Sequence, residues 1–345
     1  MAGEPHISRV QKSNGTVSLH EKIGPSDQNA HSFTSSLTSV LPYAEVEIHV
    51  KFLGGGNLPA FRGVSLRGGL GYHLRKTVCH VHSNNCDECI VRPTCVYSYI
   101  FEGVPPEDRT IMRLYPYVPQ PFVILTELKG PTHIQEDDHW KFGLRLFGRA
   151  IEHFPYIAYS LMELGEQGFG KERIKFNIEQ IVQTGEAGAV FQSGNNRLRG
   201  LRRQYPSFDR DNLKRGMVTI KFITPVRLRI GGKDARQITF SDIVRSSIRR
   251  LSILTHFYGV PLADVLDTSE LVERSSEIGK EQDQTEWFGF QRYSNRQGRK
   301  VPLGGLVGKI SFSGDLNRFL PVLMLSQISH IGKATSFGFG RIVVS

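Results

Sequence analysis

The sequence contains no run of eighteen consecutive apolar residues, so we expect no helix that spans a membrane. The N-terminus has no apolar signal core, which favours a cytoplasmic location. Acidic residues are the scarcer charge, because 33 Asp and Glu stand against 43 Lys and Arg and give a formal net charge of +10. This imbalance predicts a polyanionic partner, and clustered arginines favour nucleic acid over a membrane surface.

Cysteine is scarce and confined to one short segment, as Cys79, Cys86, Cys89 and Cys95. The central Cys-x-x-Cys pair can direct two thiolates at one ion, and clustered thiols in a cytoplasmic protein favour metal binding over disulfides. We therefore predict a structural zinc site with these four ligands, and with His80 or His82 as a substitute for a sulfur. The alternatives are an iron–sulfur cluster and four buried thiols.

Two parts of the chain repeat one pattern, which indicates an internal duplication. Gly-Phe-Gly followed shortly by Arg-Ile occurs at Gly168 and again at Gly338, 170 positions later. The strand patterns Val46-Glu-Ile and Val218-Thr-Ile are 172 positions apart. Because the two offsets nearly agree, we infer two copies of one α/β unit.

Each copy begins with a strand and an arginine-bearing helix, and ends with a helix, a glycine-rich loop and a strand. This order is that of a β-α-β-β-α-β unit. We predict an α+β protein of two tandem ferredoxin-like (RNA-recognition-motif-like) domains, with the cysteine cluster inserted in the first. The predicted boundaries are a flexible extension over 1–40, a first domain over 41–194 with the cysteine cluster at 79–95, a basic linker over 195–215 and a second domain over 216–345.

The helix predicted over Phe61–Val78 contains four glycines, at positions 63, 68, 69 and 71. Each of them weakens a helix by about 1 kcal/mol relative to alanine, so we interpret them as places of close packing. In the second half, Glu273–Glu286 is predicted to be an exposed loop, followed by a hairpin over Trp287–Lys300. The hairpin alternates aromatics with arginines, a composition that stacks unpaired bases and holds phosphates. The alternative is a hairpin with core aromatics and solvated arginines.

The last sixteen residues, 330–345, hold three glycines, two cations and two hydroxyl groups ahead of a short apolar strand. Glycines allow backbone N–H groups to approach an anion without a Cβ in the way, so this loop suits the phosphates of a nucleotide or a nucleic acid. The alternative is a plain glycine-rich turn. It is not a Walker loop, because Lys333 precedes the Gly-x-Gly pair. The lack of a nearby acidic pair for Mg²⁺ makes a nucleotide-binding protein the weakest hypothesis.

Over residues 43–345 the sequence resembles the repeat-associated RNA-binding superfamily of CRISPR systems. The resemblance is carried by His330-Ile-Gly-Lys-Ala-Thr-Ser-Phe-Gly-Phe-Gly-Arg341, Arg292–Gln297, Gly165–Arg173 and Leu66–Gly68. Within it, the sequence is similar to the endoribonucleases that process precursor CRISPR RNA. The resemblance implies binding of CRISPR repeat RNA and cleavage without a catalytic metal: the ribose 2′-OH attacks, leaving 2′,3′-cyclic phosphate and 5′-OH ends. It also implies retention of the mature guide RNA and partnership with other effector subunits. The alternative is a non-catalytic RNA-binding subunit of a CRISPR effector.

That chemistry needs a base, an acid and cations for the developing charge, and histidine suits the first two. The resemblance places the catalytic group on or just after the first helix, which favours His73 as the catalytic residue, with His330 as the second candidate. The predicted RNA-binding residues are Arg67, Arg75, Lys76, Arg249, Arg292, Arg296, Gly332, Lys333, Ser336, Gly338, Gly340 and Arg341.

Overall fold

The first half of the chain forms an antiparallel sheet with two helices packed on it. A computed structural model describes residues 37–345 except 83–84, 106–108, 110, 114–116, 196, 208–215 and 295–297. The elements are β1 (Tyr43–Phe52), β2 (Gly56–Asn57), α1 (Gly63–Val78), β3 (Phe122–Leu125), β4 (His133–Ile134), β5 (His139–Phe147), α2 (Phe154–Gln167), β6 (Phe176–Gln183) and β7 (Ala189–Gln192). The main sheet has the order β3-β5-β1-β6-β7, while β2 and β4 pair separately.

The second half repeats this arrangement. Its elements are β8 (Met217–Val226), β9 (Arg229–Ile230), β10 (Lys233–Asp234), α3 (Phe240–Tyr258), α4 (Thr268–Arg274), β11 (Gly279–Ser294), β12 (Arg299–Ser313), α5 (Leu320–Ser329) and β13 (Ile342–Val344). Its sheet has the order β11-β12-β8-β13, and β9 pairs with β10. In a ferredoxin-like unit the first strand lies between the third and the fourth. Here β1 lies between β5 and β6, and β8 lies between β12 and β13, so the prediction of two ferredoxin-like domains is confirmed.

Hydrophobic periodicity explains why these segments form strands and helices. In β1, Val46, Ile48 and Val50 are fully buried, and the residues between them are half-exposed. In α3, Ile243, Leu251 and Leu254 form a fully buried stripe at helical spacing. The helix begins at a capping box, where Thr239 and Asp242 satisfy each other's backbone N–H groups. None of the helices in the described part of the chain is long and apolar enough to cross a membrane.

The prediction of an exposed loop over Glu273–Glu286 is wrong. The structure instead has the end of α4 and the first half of β11, which pairs with β12 from Gly279 to Ser294. This half of β11 is polar because the strand lies at the edge of the sheet with most of its residues exposed. Because most of the side chains in this part of β11 are exposed, its sequence carries no apolar alternation. The hairpin predicted over Trp287–Lys300 is confirmed.

The described part of the predicted basic linker runs along the first domain. Gln204 exchanges two backbone hydrogen bonds with Tyr43 at the start of β1, and Gln183 bonds the backbone of Arg202. Leu198 and Leu201 pack against the first core. Residues 208–215 of this segment, and residues 1–36 of the predicted N-terminal extension, lie outside the described residues.

Three of the four glycines in α1 mark close packing, as their sequence predicted. A Cβ at Gly69 would lie 2.6 Å from Leu164 of α2, and one at Gly71 would lie 2.7 Å from Phe101. A Cβ at Gly63 would collide with the backbone oxygen of Phe337, which belongs to the second domain. Gly68 is the exception, since a Cβ there would have open space around it to 4 Å. The start of α1 therefore touches the glycine-rich loop of the other domain directly.

We expect Gly63→Ala to lower the free energy of unfolding by about 2 kcal/mol, because a backbone oxygen cannot move aside as a side chain can. The matched change Gly68→Ala should raise it by about 0.5–1 kcal/mol, since it restores helix propensity in open space. Chemical denaturation of both variants measures the difference. Equal stabilities for the two would contradict the close contact at Gly63.

Candidate nucleic-acid interface

A cleft of about 1430 Å³ lies between α1 of the first domain and α3 of the second. We call it the basic cleft; its lining includes residues 332–337 of the glycine-rich loop, which we define as residues 330–341. Among the described lining residues, three are acidic, namely Asp87, Glu102 and Asp242, and nine are basic, namely Arg67, Arg75, Arg227, Arg229, Arg245, Arg249, Arg250, Arg292 and Lys333. This threefold excess of positive charge in a concave site favours a polyanion.

Two of these arginines enclose the ring of Phe337 at the mouth of the glycine-rich loop. The Arg67 guanidinium lies 5.1 Å from the Phe337 ring centroid and the Arg292 guanidinium lies 5.0 Å from it. Neither Nε has a hydrogen-bond partner among the described residues. Burial lowers the pKa of both groups, and Arg292 lowers the pKa of Arg67 further. Two neighbouring guanidinium groups in the lining of a basic cleft favour an anion there.

An aromatic cluster holds Arg292 in this position. Phe290 of β11 packs against Phe61, with ring centroids 5.6 Å apart, and against Phe339 of the glycine-rich loop at 6.1 Å. Arg292 follows Phe290 by two residues on the same strand, so both side chains leave the same face. The packing of Phe290 thus turns Arg292 toward Phe337. In the predicted hairpin, Phe290 therefore packs against the core and Arg292 lines the cleft.

The C-terminal end of α5, where the glycine-rich loop begins, is bound by arginines from two elements. Arg145 of β5 donates from Nη1 to the carbonyls of Gln327 at 2.9 Å and Ile328 at 2.5 Å. Arg250 of α3 donates from Nε to the carbonyl of Ser329 at 3.3 Å. These carbonyls have no partner inside the helix and carry its negative dipole end, so two cations stabilise them.

His330 locks the two ends of the glycine-rich loop together and does not face the cleft. The side chain is fully buried, and its Nδ1 lies 2.9 Å from the carbonyl oxygen of Phe339. Burial lowers its pKa well below the ordinary value, and the nearby Arg145 lowers the pKa further. A neutral imidazole that donates from Nδ1 fits this environment. His330 is therefore placed to position the loop.

The glycines of the loop are required by its turns and by close backbone approach. Gly332 (φ +77°) and Gly340 (φ +77°) have left-handed conformations, and a Cβ at Gly340 would collide with the carbonyl oxygen of Ile331. Their N–H groups donate to Ser246 Oγ at 3.1 Å and to the Pro225 carbonyl at 3.0 Å. Protein atoms thus already accept the hydrogen bonds of these two N–H groups, and the phosphate-binding role predicted for the loop glycines stays a prediction.

The structure brings about half of the predicted site residues to the basic cleft. The residues in its lining are Arg67, Arg75, Arg249, Arg292, Gly332, Lys333 and Ser336. The residues outside its described lining are Lys76, Gly338, Gly340, Arg341, His73 and His330. Arg296 lies outside the described residues. The roles predicted for these residues stay predictions.

His73 lies on the core side of α1. It is 4 % exposed and follows Leu66 and Leu70 at spacings of seven and three residues, so it continues their buried stripe. Arg67 and Arg75 lie on the face of α1 that lines the cleft. Burial lowers the pKa of His73, while Glu163 of α2 opposes this shift. The periodicity of α1 was therefore a signal that His73 points away from the cations.

Sequence reasoning omitted several residues that line the basic cleft. Arg245 is four residues before Arg249, a spacing that places both on one face of α3, and this signal was present in the sequence. Phe337 and the exposed Tyr72 could be recognised as part of the site only after α1 and the loop were placed side by side. Arg227, which pairs with Asp234 at 2.8 Å, also lines the cleft and could likewise be recognised only from the structure.

The four cysteines lie in the connection between α1 and β3, with Cys86 in the lining of the basic cleft. All four are free thiols of intermediate exposure. Burial raises the pKa of Cys86, and the nearby Cys79 and Cys95 raise it further. Among the described residues, no group of three or more potential ligands is arranged to hold a metal ion. The structural zinc site therefore stays a prediction.

Comparison with known proteins places the chain beside CRISPR proteins. Residues 220–342 match a family model described as CRISPR-associated endoribonuclease Cas6. Residues 41–202 match a family model described as the N-terminal domain of AF_1859. An uncharacterized protein of Archaeoglobus fulgidus is 22 % identical over 291 residues, which are 82 % of this chain and 91 % of that protein.

Two solved structures share the fold. A product complex of Thermus thermophilus Cas6 has a TM-score of 0.52 and 13 % identity, over 88 % of this chain and all of that one. A partial Cas6-RT-Cas1–Cas2 complex has a TM-score of 0.52 and 12 % identity, over 89 % of this chain and 46 % of that longer chain. With the family match, these likenesses confirm the resemblance to CRISPR-associated endoribonucleases that the sequence motifs predicted.

The burial of His330 predicts a pH dependence of stability. The pKa of His330 in the folded chain lies below the unfolded value of about 6.5. As the pH falls, the imidazole is therefore protonated in unfolded chains while it stays neutral in folded ones. The free energy of unfolding should therefore fall by about 1 kcal/mol more in the parent than in His330→Asn between pH 7 and 5.5. Denaturation at several pH values measures this. Parallel pH profiles would show that His330 is not buried in its neutral form.

The predicted zinc site is tested by metal analysis of the purified protein. We expect about one zinc per chain in the parent and a large loss in Cys86→Ser, because thiolates supply most of the affinity of such sites. Ser252→Ala serves as a control that keeps all four thiols. Protein that contains neither zinc nor iron would refute the metal site and leave four plain thiols.

Proposed function

We propose that this chain is a metal-independent endoribonuclease that cleaves precursor CRISPR RNA within its repeats. The ribose 2′-OH attacks the adjacent phosphate, the products carry 2′,3′-cyclic phosphate and 5′-OH ends, and the mature guide RNA stays bound. The match of residues 220–342 and the two ferredoxin-like domains support this proposal. The observation that carries it is the pair of arginines around Phe337 in the basic cleft.

In this proposal the two arginines hold the phosphate that reacts. In-line attack by the 2′-OH places extra negative charge on the phosphate oxygens, and preorganised cations lower the cost of that charge. Arg67 and Arg292 are held against the Phe337 ring in the cleft lining before any RNA arrives. A planar guanidinium suits two phosphate oxygens at once, so arginine is the fitting residue on both sides.

Proton transfer in the cleft falls to a group other than histidine, because no described lining residue is a histidine. Lys333 is the candidate. Burial lowers its pKa, and the neighbouring cations Arg249 and Arg229 lower the pKa further. A lysine with a lowered pKa carries a larger neutral fraction near pH 7 and can accept or return a proton. His73 and His330, which the resemblance favoured, are buried in this structure, so RNA would reach them only after a local rearrangement.

A non-catalytic RNA-binding subunit of a CRISPR effector is the second candidate. The observation that favours it is the same lack of histidine among the described residues of the cleft. The cations of the cleft would then bind the repeat without cutting it. Other effector subunits would be the partners of such a protein, since fold alone does not fix activity.

A cleavage assay tests the proposal. Labelled repeat RNA in EDTA should be cut at one site, and 2′-deoxy substitution at that site should block the cut. Arg67→Ala and Arg292→Ala should each lower the single-turnover rate by about a hundredfold, because each removes a donor to the developing charge. Arg274→Ala, which removes an exposed arginine of α4 outside the cleft, should cleave like the parent.

The possible outcomes separate the two candidates. Tight binding without cleavage, also after addition of Mg²⁺, would favour the RNA-binding subunit. Failure to bind any repeat RNA would reject both. If Arg67→Ala and Arg292→Ala cleave at the parental rate, the reacting phosphate does not lie at Phe337.

A further inference from the structure

A second groove, of about 1460 Å³, lies next to the basic cleft. Asp87, Tyr117 and Val118 line both, so the two form one continuous surface depression. The second groove runs from the connection between α1 and β3 to the end of α3 at Tyr258. None of the site residues predicted from the sequence lies in its described lining, so the proposed cleavage reaction leaves this groove without a role.

The charge in the second groove is strongly positive. Among its described lining residues, Asp87 is the one acid, and Arg92 pairs with it at 2.9 Å. The other basic side chains are Arg109, Arg113, Arg149 and Arg203. Arg203 pairs at 2.6 Å with Glu152, which is outside the described lining. The groove thus keeps a clear excess of guanidinium groups over carboxylates.

Aromatic rings line the groove together with these arginines. Tyr99, Tyr117, Tyr205 and Phe257 line the groove. Tyr205 is 52 % exposed, so its ring is accessible to a ligand in the groove. The Arg149 guanidinium lies 5.6 Å from the centroid of the Tyr99 ring. Rings offer flat faces for bases, and guanidinium groups offer donors for phosphates.

We propose that the second groove binds an unpaired segment of the repeat RNA that flanks the segment in the basic cleft. This rests on the proposed function of the basic cleft. Aromatic faces between guanidinium groups bind single strands, because every base can stack while the phosphates meet cations. Continuity at Tyr117 lets one strand pass from the first depression into the second. An acidic protein segment would use the charges but not the exposed ring of Tyr205.

The test compares RNAs of different length in binding assays with the full chain. The variant is Tyr205→Ala combined with Arg113→Glu, two exposed residues of the second groove. The control is Tyr159→Ala combined with Lys309→Glu, because Tyr159 is 51 % exposed, Lys309 is exposed on β12, and neither belongs to the described lining of a depression. The RNAs are the whole repeat and repeats trimmed from either end toward the cut site.

We expect the variant to bind the whole repeat at least about tenfold more weakly than the parent and the control, because it loses a stacking partner and a cation. One of the trimmed RNAs lacks the segment that the second groove binds. This RNA should bind the parent and the variant equally well, and both proteins should cut it at equal rates. Equal loss with every RNA, or no loss with any, would overturn the second groove as a flanking site. Cleavage of the trimmed RNA by the variant would still support the proposed function, so the two proposals fail separately. If the parent binds the whole and the trimmed RNAs but cuts neither, the nuclease is rejected. The affinities of the parent and the variant for these RNAs then still test the second groove.

Discussion

The binding of the C-terminal end of α5 by two arginines is the constraint on which the site depends. Arg145 comes from a strand of the first domain and Arg250 from a helix of the second, and both bind carbonyls just before His330. A salt bridge from Arg145 to Glu45 at 2.5 Å anchors this contact in β1. The start of the glycine-rich loop is therefore fixed relative to both domains at once. The opposite end of the loop is tied to Thr224 of β8, whose Oγ accepts from the N–H of Arg341 at 3.0 Å.

The packing of α1 against this loop brings side chains from distant parts of the chain together in one site. Gly63 allows the helix to approach the carbonyl oxygen of Phe337, and the helix then presents Arg67 to the Phe337 ring. The hairpin of β11 and β12 brings Arg292 to within 5.0 Å of the centroid of the same ring. Three segments far apart in the chain thus meet at one phenylalanine. Each guanidinium is stabilised there by the π-system of the ring.

Local patterns predicted the architecture well and the orientation of single side chains less well. The alternation in β1, the apolar stripe of α3 and the duplication were readable because each depends on residues near in sequence or on a fixed offset. Arg67, Arg249 and Lys333 were identified as binding residues, and the structure places them in one cleft. His73 was chosen by its proximity to cations in the sequence, although its spacing from Leu70 puts it on the buried face. The role of Phe337 depends on contacts between distant segments, which spacing does not encode.

The duplication has had unequal consequences for the two glycine-rich loops. In the first domain, Phe169 and Ile174 exchange backbone hydrogen bonds, and Gly168 packs on the backbone of Arg173. That loop is closed upon itself, and none of its residues lies in the described lining of the basic cleft. Its counterpart in the second domain is shared between domains and faces the cleft. The same turn thus serves one domain in the first copy and the contact between two domains in the second, so a substitution in the first loop acts on its own domain, whereas one in residues 330–341 acts on both.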